Sequence, residues 1–313
     1  MRHDVVKKEI VQHLKISELR LGRVLGSGGF GTVYESYFRG ERLAVKKLHN
    51  ETKNKRAAKE SFEAETSVVN FHHPNIVRTL VVTTYMESSY VIMEYAGEKT
   101  LQSVINDISQ AMDLERRLRF AEDIARALEF AHDQGIAHMD LKPGNVIVTQ
   151  EDRCKLADFG CCQAVDINDK PASPTKSNLT GTYAYRAPEL LRGECPTTKA
   201  DIYSYGICLW QMMKRERPYG NENQHVVIFR VVADQLRPKL TKETGEEKQY
   251  VNLIKLCWQA EAKLRPSAPE IVKKLTEVES LLKKVKGEKL RTVDSLSERL
   301  LGFQICPLQR AEL

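Results

Sequence analysis

Apolar positions in the first ninety residues fall in short runs of Val, Leu, Ile, Tyr and Thr, bounded by glycines, charges or a Ser-Ser pair. This pattern predicts strands at Leu19–Leu25, Thr32–Phe38, Arg42–Leu48, Thr79–Thr84 and Tyr90–Glu94. One helix interrupts them, from about Lys55 to Asn70, closed by His73-Pro74-Asn75. Beyond Gly97 the period changes. Leu114, Leu118, Ala121, Ile124, Ala125, Leu128 and Ala131 recur at helical spacing and predict an amphipathic helix with one buried face. A hairpin follows, Asn145–Val148 and Lys155–Asp158, and then helices near 199–214, 223–234, 247–259 and 268–284. Ser267-x-x-Glu270 is a capping box for the last of these. The chain therefore reads as a small β-rich front joined to a larger helical back, an α+β architecture without internal repeats.

Composition narrows the class. With 313 residues, 42% hydrophobic and 29% charged, the chain can bury a full core. The net charge of +6 is spread along the chain and points to no nucleic-acid partner. Seven cysteines show no CxxC pair, which suits a reduced, cytoplasmic protein. The start MRHDVVKKEI has no apolar stretch behind it and predicts no secretory leader, and no apolar run reaches membrane-spanning length.

Three groups of residues carry chemistry. Leu25-Gly26-Ser27-Gly28-Gly29-Phe30-Gly31-Thr32-Val33 holds a G-x-G-x-x-G-x-V pattern whose glycines let backbone N–H groups approach phosphate oxygens. A strand, not a helix, follows the last glycine, which favours a hairpin lid over a nucleotide rather than a dinucleotide fold. Thirteen residues past Val33, Lys46 ends the run Leu43-Ala44-Val45-Lys46 as a candidate phosphate-pairing cation. An acid on the helix could hold that ammonium. Glu65 is the first candidate and Glu63 the alternative, since the helix phase is open.

The third group is His138-Met139-Asp140-Leu141-Lys142-Pro143-Gly144-Asn145, followed by Asp158-Phe159-Gly160 and Ala187-Pro188-Glu189. Asp140 can orient a hydroxyl and Lys142 can offset charge on a transferring phosphate. Asn145 and Asp158 offer two oxygen ligands for magnesium.

These motifs, in this order, resemble the eukaryotic protein kinase family over about residues 16–283. The resemblance implies a bilobal fold, with an N-lobe at about 16–96 and a C-lobe at about 97–283. It leaves an N-terminal extension at 1–15 and a C-terminal tail at 284–313. It also implies an ATP and Mg2+ cleft in which Met93 is the gatekeeper, and Glu94 and Ala96 present backbone groups to adenine. Asp201 and Arg265 are expected as scaffold, with Arg265 paired to Glu189. The run Asp-Leu-Lys-Pro-Gly-Asn and Gly181-Thr182-x-x-Tyr185-x-Ala187-Pro188-Glu189 resemble the serine/threonine type, in which Thr182 bridges Asp140 and Lys142.

The segments LGSGGFGTVYES, HMDLKPGNV, DFGCC and GTYAYRAPELLRGE are most similar to oocyte kinases that act as MAP kinase kinase kinases. This implies a MAP kinase kinase as protein substrate, and a monomer with no membrane partner. Raf-like and mixed-lineage kinases are the alternatives within the family. A pseudokinase scaffold would be marked by loss of Lys46, Asp140, Asn145 or Asp158, and all four are present. Met139 stands where most members have an Arg that pairs with a phosphate on the activation segment. The expectation is an enzyme that does not need phosphorylation through that contact.

Overall fold

The computed structural model describes residues 14–49, 55–166, 182–240 and 247–282. Lys53, the hydroxyl residues 173–180, Gly181, Cys306 and the lysines at 283–286 lie outside them.

Five strands form an antiparallel sheet: β1 (Val24–Ser27), β2 (Gly31–Phe38), β3 (Glu41–Leu48), β4 (Thr79–Tyr85) and β5 (Ser88–Glu94), in the order β1-β2-β3-β5-β4. Alternation along β3 explains its place in the middle. Leu43 and Val45 turn to one face with Phe38, Leu80 and Ile92, while Ala44 turns to the other beside Met93 and Val33.

The first strand starts later than its apolar residues predict. Leu19 packs with Ile16 against the outer face of the sheet instead of pairing. Gly22 and Arg23 still bond Glu35, with Gly22 N–H donating to Glu35 O at 2.7 Å, and a bulge between Val24 and Gly26 carries the strand into the glycine turn.

Helix α1 (Lys55–Ser67) ends three residues earlier than predicted. Thr66 Oγ1 donates to Phe62 O at 2.8 Å and Ser67 Oγ to Ala64 O at 2.7 Å, so two side-chain hydroxyls compete for the last carbonyls.

The back half is built around two helices, α3 (Leu114–Asp133) and α5 (Thr198–Lys214), numbered after the short α2 (Leu101–Asn106) and α4 (Pro188–Leu191). Asp113 caps α3 by accepting the Arg116 N–H at 2.8 Å. α5 is buried on nearly every face, as expected for a helix through the centre of a domain. Around it pack α6 (Gln224–Ala233), α7 (Glu247–Cys257) and α8 at 268–282. Phe120, Ile124 and Leu128 on α3 have no exposed surface to speak of, and truncating any of them to Ala costs about 2–5 kcal/mol.

The capping box takes a one-sided form: both the N–H and the hydroxyl of Ser267 donate to Glu270, at 2.7 and 2.9 Å. α2 and α4 were not predicted. They are six and four residues long, too short to show a period.

Two minor strands, β6 (Val146–Val148) and β7 (Cys154–Leu156), form the predicted hairpin, and β7 stops short of Asp158. The hairpin lies at the boundary between the halves. Val77 N–H donates to Leu156 O at 2.8 Å, and Lys155 reaches Glu94 at 2.5 Å.

Candidate active site

The glycine turn closes where Gly28 N–H donates to Gly31 O at 2.9 Å. Its glycines serve two different needs. A Cβ on Gly31 would sit 2.6 Å from Lys47 O, so this residue lets β2 approach β3. A Cβ on Gly26, Gly28 or Gly29 would meet nothing within 4 Å, so protein packing does not require those three. They leave open backbone above the cleft, as a phosphate cradle demands.

Beneath the turn, Lys46 Nζ lies 2.9 Å from Glu65 Oε1 and 2.5 Å from Asp158 Oδ1. The helix phase is thereby decided: Glu65 faces inward, while Glu63 is exposed and lies 3.7 Å from Lys59. The Lys46 and Glu65 side chains are 7% and 2% exposed, whereas the Asp158 side chain is 43% exposed and faces the cleft. Burial opposes the Lys46 charge, but Glu65 and Asp158 outweigh it and hold the ammonium above its ordinary pKa. Burial pushes the Glu65 carboxyl up against the pull of Lys46. Asp158 is held below the ordinary range because Lys46 overcomes its desolvation. Gly160 makes room for this cluster, since a Cβ there would stand 2.5 Å from Ser61 Oγ and 3.2 Å from Lys46 Nζ.

On the opposite side, Lys142 Nζ donates to Asp140 Oδ2 at 2.6 Å and Asn145 Nδ2 to the same oxygen at 3.0 Å. Ala157 N–H donates to Asn145 O at 2.8 Å, which ties the loop carrying Asn145 to the residue before Asp158. Thr182 lines a cavity with Asp140 and another with Lys142, but among the described residues it hydrogen-bonds to neither.

The loop holding Asp140 is itself held from below. Asp201, fully buried on α5, accepts His138 N–H at 2.7 Å, Met139 N–H at 2.8 Å and His132 Nε2 at 2.9 Å. Burial raises its pKa, yet the His132 bond and the other donors outweigh burial and keep it below the usual carboxylate range. The same carboxylate stabilises Met139 in a left-handed conformation, φ 65°. Arg265 forms the expected bidentate pair with Glu189, at 2.6 and 2.8 Å, and both side chains are buried.

An apolar cluster joins the lobes: Val33, Ala44 and Ala96 of the front half and Ile147 and Ala157 of the back half pack around Met93 and its buried neighbours. The Ala96 backbone N–H and C=O have no partner among the described residues, the arrangement that an adenine edge would satisfy. Leu25 and Phe30 are half-buried at the mouth of the turn, where Ser27 and Thr32 share a hydrogen bond at 3.1 Å. The Glu94 side chain is committed to Lys155 and to the Arg78 N–H, and its own backbone N–H donates to Arg78 O at 3.0 Å. Ile147 and Ala157 were missed by sequence reasoning. Their one signal is the alternation in the short hairpin, which does not say which face meets the cleft.

Residues 19–275 match the protein kinase domain. The chain belongs to the protein kinase family. It is 48% identical over 261 residues to the serine/threonine-protein kinase mos of Patiria pectinifera, covering 82% of this chain and 74% of that protein. It is 40% identical over 266 residues to the serine/threonine-protein kinase mos of Xenopus laevis, covering 81% and 74%. It is also 40% identical over 267 residues to the proto-oncogene serine/threonine-protein kinase mos of Sus scrofa, covering 78% and 76%. This kinase is of the serine/threonine, Mos-like type, with the β-sheet N-lobe and helical C-lobe that its sequence pattern predicts.

Proposed function

We propose that this kinase transfers the γ-phosphate of magnesium-bound ATP to serine or threonine hydroxyls of a MAP kinase kinase. It would thereby act as a MAP kinase kinase kinase in oocyte meiotic maturation and arrest. The observation that carries the reading is its 40–48% identity, across most of the chain, to serine/threonine-protein kinases mos.

The residues divide the work. The open glycines 26, 28 and 29 cradle phosphate, with Ser27 and Thr32 beside them. Lys46, already charged and aimed by Glu65, neutralises the α- and β-phosphates. Leu25, Phe30, Val33, Ala44 and Met93 enclose the adenine, and the Glu94 and Ala96 backbones read its edge. Asp140 orients the accepting hydroxyl and takes up its proton. Lys142 offsets charge on the phosphoryl group in flight, with Thr182 closing the site beside it. Asn145 Oδ1 and the exposed carboxylate of Asp158 are the sparse oxygen set that Mg2+ takes when substrate phosphates complete its shell. Bound there, the ion would supply positive charge to the phosphates. No helix among the described residues is long and apolar enough to cross a membrane, and the reading places the enzyme in the cytoplasm as a monomer.

The test is to incubate the full chain with labelled ATP, magnesium and a kinase-dead MAP kinase kinase. Phosphoserine or phosphothreonine on the acceptor is expected. Labelling of a generic acceptor such as casein but not of the MAP kinase kinase would overturn the substrate assignment.

A further inference from the structure

Next to the catalytic loop a cavity of about 380 Å³ opens between α2, the segment Thr182–Tyr185 and the loop after α5. Lys142 forms one wall and bonds Asp140, which places the cavity beside the carboxylate assigned to the accepting hydroxyl. Among the described residues its charged lining is two cations, Lys142 and Arg217, with no carboxylate. Lys142 is engaged by Asp140. Arg217 is exposed and has no carboxylate partner among the described residues.

The neutral groups have a polarity of their own. Tyr185 Oη donates to Gln211 Oε1 at 2.5 Å, Gln211 Nε2 to Gln102 Oε1 at 3.2 Å and Gln102 Nε2 to Asn106 Oδ1 at 2.9 Å. Every amide carbonyl in this relay already accepts a bond, so the amides have N–H donors left to offer.

We propose that this cavity is a specificity subsite for an acidic side chain of the substrate, a carboxylate or a phosphate, with Arg217 as its determinant. The inference rests on the proposed function and names its substrate class more narrowly. A guanidinium without a partner offers a planar fork to either acid, and a Lys or Arg on the peptide would meet like charge. A compact space of about 380 Å³ spans roughly 7–9 Å, and extended chain advances about 3.3 Å per residue. The acid therefore sits within about three residues of the accepting hydroxyl.

The test uses the full chain and serine peptides carrying Asp, phosphoserine, Ala or Lys at each of the three positions on either side of the acceptor. At one position Asp or phosphoserine should raise kcat/KM roughly three- to tenfold over Ala, Lys should lower it, and the gap should narrow in high salt. The larger of the two acidic effects identifies carboxylate or phosphate as the natural group. Arg217→Glu should invert the order at that position, a gain on the Lys peptide that an unfolded variant cannot show. A flat profile, or an acid preference unchanged in Arg217→Glu, would overturn the subsite and leave the kinase reading standing. Failure to label any peptide or a generic protein acceptor would overturn both.

Discussion

Replacing Asp201 by Asn should loosen the catalytic loop although Asp201 faces no part of the cleft. The carboxylate accepts two backbone N–H groups on one loop and a histidine, with His138 N–H and His132 on Oδ2 and Met139 N–H on Oδ1. Asn supplies one acceptor oxygen and one amide that can only donate. One side of the loop then points N–H against N–H in a buried site. An orphaned buried donor costs about 1–3 kcal/mol, and hydrogen bonds to a charged acceptor are about twice as strong as neutral ones. Met139 adds to the loss. Its left-handed backbone, φ 65°, is disfavoured by about 1–2 kcal/mol, and its bond to Asp201 offsets that cost.

The sum is about 3 kcal/mol, which in a domain of this size lowers Tm by roughly 6–12 °C. Thermal unfolding checks the stability, and kcat at saturating ATP checks the positioning of Asp140, with a loss on the order of tenfold expected while KM for ATP stays near its original value. The pH sign follows from the depressed Asp201 pKa. Its contribution is present above the unfolded value of about 3.9 and is lost as pH falls through the lower folded value. The gap between the two proteins should therefore be full at pH 7 and shrink only in strong acid. A change in Tm below about 2 °C with unaltered kcat would refute the reasoning.

Lys46→Arg should cut turnover on the order of a hundredfold despite the retained charge. A planar fork does not fit where Nζ meets Glu65 and Asp158 together beneath Gly160, and single-turnover transfer with ATP measures the loss. Gly31→Ala and Gly28→Ala should separate. The first strains β2 against Lys47 O and lowers Tm, while the second leaves Tm unchanged and raises KM for ATP, as melting curves and steady-state kinetics will show. Burial pushes the thiols of Cys161 up to about 12 and Cys162 up to about 11, so both should resist iodoacetamide in the native protein at pH 7.5, read by mass spectrometry. Met139 carries no charge for a phosphate, so phosphatase treatment should leave most of the turnover intact; near-complete loss, restored by rephosphorylation, would contradict this.

Much of this was visible in the amino-acid pattern because it depends on local chemistry. Strand alternation and helical spacing place β2 to β5 and the α3 helix to within a residue or two, whereas β1 begins well after its predicted start at Leu19. The motifs at 26–31, 138–145 and 158–160 name most side chains that meet in the cleft. What the pattern could not show depends on phase and on distant approach. Glu63 and Glu65 are equivalent in a polar helix until the Lys46 partner is seen. Gly28 and Gly31 look alike, although only one is demanded by a neighbouring strand. The apolar contacts of Ile147 and Ala157 come from a short hairpin and the residue after it, and Arg217 enters beside Lys142 only once α5 and its following loop are folded.

The central claim is that Asp140 works on the accepting hydroxyl while Lys46, Glu65 and Asp158 handle the nucleotide. It is tested most directly by single-turnover phosphate transfer in Asp140→Asn beside the unaltered kinase, with ATP binding measured on both. The account predicts ATP affinity unchanged within about twofold and transfer slowed a hundredfold or more. Transfer at the original rate, or loss of ATP binding in place of transfer, would contradict it.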